Sequence, residues 1–402
     1  MEREAVFSTR ARQMTRSVIR ELLKLTADPE VISFAGGLPA PETFPVDKVR
    51  EAAEKVLREE AAKALQYGPT EGDIRLRADL AGMMREDGID ADPEHVIVLT
   101  ASQQGLDLIG KVFFDPGDTA VVGFPTYLGA IQAFRSYQAD LVGVELDDEG
   151  MRPDLLEKTL DRLESEDRRP KFIYLVPDFQ NPAGVTIPEA RRRQIIALAR
   201  DRGYLLVEDT PYRQLRYAGR HQATFQSLAP DCVISLYTFS KILLPGFRLG
   251  WAYGPDWVLD KMVMAKQGTD LCSPPFTQAI THYVIESGGF REGLQHTIEL
   301  YRERRRVMLE SLDQELGATE GVTWTRPEGG LFLWLTLPEG CDTQELFEAA
   351  IAEKVAYVPG RAFYPPGMGG ERSMRLNFSY CSEELIRKGV SRLAALIRKQ
   401  LG

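Results

Sequence analysis

What this sequence has little of narrows its class first. Of 402 residues, four are cysteine and four are histidine. Cys232, Cys272, Cys341 and Cys381 stand far apart, with no CxxC pair among them. They read as buried thiols of a reducing compartment, not as a disulfide frame or a zinc site. His95, His221, His282 and His296 show no HExxH spacing, so no resident metal is expected. No GxGxxG follows a β-rich run, which disfavours a nicotinamide cofactor. No apolar run has the length of a membrane span. The opening "MEREAVFSTRARQMTRS" is charged and lacks the apolar stretch of a secretory signal. A cytoplasmic protein with no membrane partner is therefore expected. Positive charge is also short, 49 Lys and Arg against 59 Asp and Glu, for a net −10. That balance argues against a broad basic surface for nucleic acid. No internal repeat or low-complexity tract is present.

What remains has the composition of a globular enzyme, 44% hydrophobic and 27% charged. The length exceeds what one compact core usually takes, so a large domain with a smaller one is expected. The boundaries fall at 46–300 for the large domain, with 1–45 and 301–402 forming the small one. "RSVIRELLKLTADP" has helical periodicity and a proline stop. "VISFAGGLPAPETFP" is a glycine- and proline-rich loop, and "DKVREAAEKVLREEAAKAL" an amphipathic helix. From about residue 95, short β-rich runs alternate with helical ones: "HVIVLT", "TAVVGF", "LVGVEL", "KFIYLVP", "YLLVED", "CVISLYTF" and "LGWAYG". Interleaving of this kind predicts an α/β sheet, mostly parallel and covered by helices on both faces. A long charged helix, "FREGLQHTIELYRERRRVMLESLDQEL", leads into a shorter mixed block that predicts an α+β unit.

Ligands of such sheets sit at the carboxyl ends of the strands. After "HVIVLT" comes "ASQQG", where Ser102 and Gln103 either offer free N–H groups to an anion or serve a plain N-cap. Tyr127 follows "TAVVGF" and is a packed aromatic or a flat surface for a ligand. Asn181 lies in "DFQNPAG", a tight turn it can simply serve. Glu208 and Asp209 end "YLLVED", as helix caps or as functional acids, with Tyr212 just beyond. "YTFSKILLPGFRLGWAYG" places Thr238, Ser240, Lys241 and Arg248 among apolar residues, where an unpaired ammonium is costly. Together these side chains suit a flat, phosphorylated heteroaromatic aldehyde.

"NPAG", "EDTPY", "TFSK" with "PGFRLGW", and "MRLNFS" occur in an order and spacing that resemble the class I/II aminotransferases of the pyridoxal-phosphate fold-type I superfamily. The resemblance covers nearly the whole chain. "SFAGGLPAPETFP", "LQYGPTEG", "SQQGLDLIGKVF", "PTYLGAIQAF" and "AKQGTDL" are similar to the 2-aminoadipate/aromatic (kynurenine-type) branch.

The resemblance implies a fold-type I architecture, pyridoxal 5'-phosphate as cofactor and a role for each matching residue. Lys241 would be the Schiff-base lysine and proton carrier, and Asp209 would keep the ring nitrogen protonated. Asn181 and Tyr212 would bond the 3-oxygen, and Tyr127 would stack on the ring. Ser102, Gln103, Thr238, Ser240 and Arg248 would surround the phosphate. Tyr67 would reach the phosphate in a neighbouring subunit, which implies a homodimer. Arg375 would clamp the substrate α-carboxylate, with Gly37 lending a backbone donor and Asn181 close by. Arg20 matches an arginine that contacts acidic side chains, though a solvated helix-face arginine or an ion pair with Glu21 or Asp28 explains it equally. The N-terminal segment would form a lid. Two positions depart from the branch pattern: Thr238 where serine is frequent and Ala101 where glycine is frequent.

The implied activity is ping-pong transfer of an amino group between an L-amino acid (2-aminoadipate, glutamate, leucine or aromatic) and 2-oxoglutarate. Alternatives on the same fold are a carbon–sulfur lyase, a decarboxylase or a cyclopropane-forming synthase. A ligand-binding regulator would carry an added winged helix, and a dead-site binding protein would lack the lysine, aspartate and arginines present here.

Overall fold

The structure is a computed structural model that describes residues 6–14 and 28–402. The expected helix "RSVIRELLKLTADP", and Arg20 within it, lie outside the described residues apart from Asp28 and Pro29. A short helix, Thr9–Gln13, is capped by the Ser8 hydroxyl. The first strand, β1 (Ile32–Ser33), belongs to the far end of the chain rather than to its sequence neighbours.

Eight strands form the large sheet. In chain order they are β2 (Val96–Leu99), β3 (Thr119–Phe124), β4 (Asp140–Asp147), β5 (Gly150–Met151), β6 (Phe172–Leu175), β7 (Leu205–Asp209), β8 (Val233–Thr238) and β9 (Gly250–Tyr253). Their spatial order is β2-β9-β8-β7-β6-β3-β4-β5. The centre, from β8 through β7, β6 and β3 to β4, is parallel. β9 runs antiparallel between β2 and β8, and β5 is an antiparallel edge. All seven β-rich runs of the sequence are strands. They read as unbroken apolar stretches because both faces are covered, and every residue of β2, β6, β8 and β9 is buried.

Alternation divides the side chains between two cores. Ile173 and Leu175 pack with Leu156, Leu160 and Leu163 of helix Pro153–Ser165 and with Ile195, Ile196 and Ala199 of helix Glu189–Arg202. Phe172 and Tyr174 point the other way, into the main core. Gly203, at φ 71, ends helix Glu189–Arg202 in the left-handed conformation and turns the chain into β7.

Beyond the sheet, helix Gly289–Leu316 spans 28 residues and packs along the closing helix Glu383–Leu401. Beside it, β10 (Thr323–Trp324), β11 (Phe332–Thr336), β13 (Val358–Pro359) and β14 (Ser373–Asn377) make an antiparallel sheet ordered β10-β11-β14-β13. β12 (Val355–Ala356) pairs in parallel with β1. The architecture is thus the expected α/β sheet plus a smaller α+β unit. Among the described residues no helix is long and apolar enough to cross a membrane.

Candidate active site

The carboxyl ends of β3, β6, β7 and β8 open on one cavity of about 370 Å³. Ser102, Gln103, Tyr127, Asn181, Asp209, Tyr212, Thr238, Ser240, Lys241 and Arg248, ten of the residues singled out in the sequence, all line it.

At the cavity floor the two acids ending β7 part company, because successive side chains leave a strand on opposite faces. Glu208 turns away, accepting from the N–H groups of Phe225 (2.9 Å) and Gln226 (3.1 Å) and from the Ser235 hydroxyl (3.0 Å). It thus serves the first N–H groups of the short helix Phe225–Leu228, whose N-cap is Thr224. Asp209 faces the cavity. Its Oδ2 accepts from the Tyr174 hydroxyl at 2.8 Å, while its buried Oδ1 has no partner among the described residues. Burial pushes this carboxyl up to about 7, against a smaller downward pull from the Tyr174 hydrogen bond.

Lys241 follows β8. Its Nζ donates to the Gly37 carbonyl at 2.6 Å. Burial first, then the charges of Arg375 and Arg248, bring its ammonium down to about 8. Gly37 thus meets Lys241 through its carbonyl.

One wall holds the anion donors. Helix Ala101–Phe113 starts one residue before Ser102, so Thr100 is its N-cap and the Ser102 N–H lies in the unpaired first turn. Ala101 adopts φ 60, a left-handed conformation that suits glycine and explains why glycine is frequent there. Gly250 lets β9 approach this turn: an added Cβ would lie 2.8 Å from the Ser102 nitrogen and 2.4 Å from the Tyr237 carbonyl. The Thr238 hydroxyl donates to Ser240 Oγ (2.9 Å), and Arg248 Nη1 reaches the same oxygen at 3.4 Å. The Gln103 amide is engaged with the Gly129 carbonyl (3.1 Å) and the Tyr127 hydroxyl (3.3 Å), so what it can offer an anion is its backbone N–H.

Opposite, Asn181 Nδ2 donates to the Tyr212 hydroxyl at 3.2 Å, and Asn181 Oδ1 accepts from Arg375 Nη1 at 2.9 Å. Arg375 stands on β14, 1% exposed, and its Nη2 donates to the Ala35 carbonyl at 2.7 Å. The guanidinium lies 4.0 Å from the centre of the Phe332 ring and 5.0 Å from that of Phe363. Its Nε is unpartnered, and among the described residues no carboxylate pairs with it. Burial drives it down to about 10, still a cation at neutral pH. A buried guanidinium without a counter-charge is costly and is a ready seat for a carboxylate.

Tyr67 is 77% exposed and is not among the cavity's lining residues. Four contributors escaped the sequence: Tyr174 beneath Asp209, Phe332 and Phe363 around Arg375, and Gln180. Gln180 ties the Asn181 turn to the Pro125 carbonyl at 2.8 Å. Their partners lie elsewhere in the chain, and no local pattern marks them.

The donor set fits pyridoxal 5'-phosphate. An unpartnered carboxylate oxygen suits a ring nitrogen, a depressed amine an aldehyde, and a helix N-terminus with hydroxyls and Arg248 a phosphate. Residues 29–393 match the family described as aminotransferase class I and II. The chain is 47% identical to the aromatic-amino-acid aminotransferase 1 of Thermococcus litoralis, covering 100% of this chain and 96% of that one. It is 42% identical to the 2-aminoadipate transaminase of Thermus thermophilus, covering 98% and 96%. The Pyrococcus horikoshii kynurenine aminotransferase, solved in complex with PMP, superposes with a TM-score of 0.95 at 44% identity, covering 99% and 98%. The chain therefore belongs to the aminotransferase class I and II family, and it is a pyridoxal-phosphate-dependent transaminase of fold type I.

Proposed function

We propose that this site moves an amino group between an L-amino acid and 2-oxoglutarate, in ping-pong order, with 2-aminoadipate, glutamate, leucine and aromatic amino acids as the substrate range. The observation that carries this reading is Arg375, a buried guanidinium with no acidic partner among the described residues, bonded to Asn181 on the wall of the cavity that Lys241 and Asp209 also line. The names of two relatives, an aromatic-amino-acid aminotransferase and a 2-aminoadipate transaminase, support the aromatic and 2-aminoadipate part of this range.

When bound, pyridoxal phosphate supplies an electron-poor ring that accepts the electron pair left when the substrate Cα loses its proton. Lys241 would hold the cofactor covalently and, once displaced by the incoming amino group, would carry the substrate's Cα proton as a free amine. Its depressed pKa leaves a sizeable neutral fraction near physiological pH. Asp209 would hold the ring nitrogen, Asn181 and Tyr212 the 3-oxygen, and Tyr127 would pack on the ring. Ser102, Gln103, Thr238, Ser240 and Arg248 would hold the phosphate. Arg375, steadied by Asn181, clamps the α-carboxylate and so fixes which Cα bond faces the lysine. Arg20, outside the described residues, is the proposed reader of an acidic side chain.

The same reading makes the protein a cytoplasmic homodimer in which Tyr67 completes the partner's phosphate site. Its exposure, with that of Leu65 (67%) and Ile74 (47%), supports a partner surface there. Four unpaired cysteines support the compartment. The division into 46–300 and 1–45 with 301–402 is supported by the eight-stranded sheet lying wholly in the first range and both smaller sheets in the second.

Loading the protein with pyridoxal phosphate tests the core of this reading. Wild type is expected to show a visible absorption band that Lys241→Ala lacks. An identical band in the variant contradicts the role of Lys241.

A further inference from the structure

Asp209 does not stand alone at the end of β7. Tyr174 sits on β6, in register opposite Val207, two residues before Asp209 on β7. Residues two apart on a strand share a face, so Tyr174 and Asp209 lie on the same side of the sheet and the phenol reaches along it. The contact is Tyr174 Oη to Asp209 Oδ2 at 2.8 Å, and neither residue is more than 1% exposed. The ring of Tyr174 is held edge-on by Phe134, with centroids 5.6 Å apart. Burial and the adjacent carboxylate keep the phenol protonated, so toward the ionised Asp209 it is the donor. One carboxylate oxygen is thereby fixed and the other, Oδ1, is left without a partner among the described residues.

We propose that Tyr174 is a positioning residue of the transamination site: its hydroxyl locks Oδ2 of Asp209, keeping the carboxylate ionised with Oδ1 aimed at the cofactor's ring nitrogen. The inference rests on the reading that Asp209 holds that nitrogen. Two effects follow from one hydrogen bond. The first is geometric, because a buried carboxylate held at one oxygen cannot rotate its other oxygen away. The second is electrostatic, because a donor to the anion favours the anion over the neutral acid. A neutral acid at this place would no longer favour the protonated ring. The structural alternative is that Tyr174 simply fills the core between Phe134 and the sheet, and Tyr174→Phe would then preserve everything that matters.

The test compares two cofactors on the same apoprotein: pyridoxal phosphate and its analogue with CH in place of the ring nitrogen. Wild type is expected to bind the natural cofactor far more tightly. Tyr174→Phe keeps the ring and its packing, and is expected to reduce that preference by about tenfold, as loss of a hydrogen bond to a charged group would. Affinity for the analogue should be nearly unchanged. In an Asp209→Asn background, Tyr174→Phe should reduce the preference no further, since the residue through which it acts is gone. Equal weakening of both cofactors, or an unchanged preference, overturns the role of Tyr174 while leaving Asp209 in place. Absence of any preference in wild type overturns both. Should Tyr174→Phe prove unstable, the Asp209→Asn comparison with Tyr174→Leu reads the same coupling.

Discussion

Lys241, Asp209 and Arg375 are three ionisable groups whose burial works against folding of the free protein and in favour of ligand binding. Asp209 makes this measurable. Its carboxyl titrates near 3.8 when unfolded and near 7 in the fold. The folded chain therefore holds a proton that the unfolded chain has lost, and stability falls as pH rises between these values. In the cofactor-free protein, Asp209→Asn should be more stable than wild type by a few kcal/mol above about pH 8. The gain should vanish below about pH 4, where both side chains are neutral. Thermal melts across pH check this, and a pH-independent difference contradicts it. Arg375→Ala should lower kcat/KM by about a hundredfold for every amino acid, from the loss of charged hydrogen bonds to the carboxylate. A loss confined to one substrate would mean that it reads a side chain instead. Ten lining residues were legible because each follows a strand in a recognisable run. Tyr174 and Phe332 were not, because their roles depend on register across strands, nor was Phe363, which meets Arg375 from the turn before β14.

At the level of elements, the phosphate cradle depends on how closely β9 approaches the first turn of helix Ala101–Phe113. Gly250→Ala would place a methyl 2.8 Å from the Ser102 nitrogen and 2.4 Å from the Tyr237 carbonyl, both backbone atoms that cannot swing aside. The variant should lose about 1–3 kcal/mol of stability and bind pyridoxal phosphate more weakly. Denaturant melts and cofactor titration check both, and an unchanged affinity would show that the turn does not touch the phosphate. The β-rich runs themselves were plain in the sequence, since strands buried on both faces are apolar throughout. The antiparallel insertion of β9 between β2 and β8 was not plain, because direction and neighbour order leave no periodic trace. Nor was the pairing of β1 with β12, which joins residues 32 and 355 across most of the chain.

For the whole molecule, the account requires two chains per pair of sites. Tyr67 is exposed and does not line the cavity of its own chain, so its proposed phosphate contact is to the site of a partner. Light scattering should give the mass of a dimer. Mixing Tyr67→Ala with Lys241→Ala under conditions that exchange subunits should restore activity above the sum of the two, because one site of each hybrid has both residues intact. No recovery among exchanged subunits contradicts the shared site. The central claim is amino-group transfer at Lys241, and the most direct measurement follows the nitrogen itself. The purified holoenzyme is given heavy-nitrogen-labelled L-glutamate and the 2-oxo acid of leucine, and the products are weighed. The account predicts labelled leucine and 2-oxoglutarate in equal amounts from wild type and none from Lys241→Ala. Unlabelled products, ammonia release or decarboxylation in place of label transfer would contradict it.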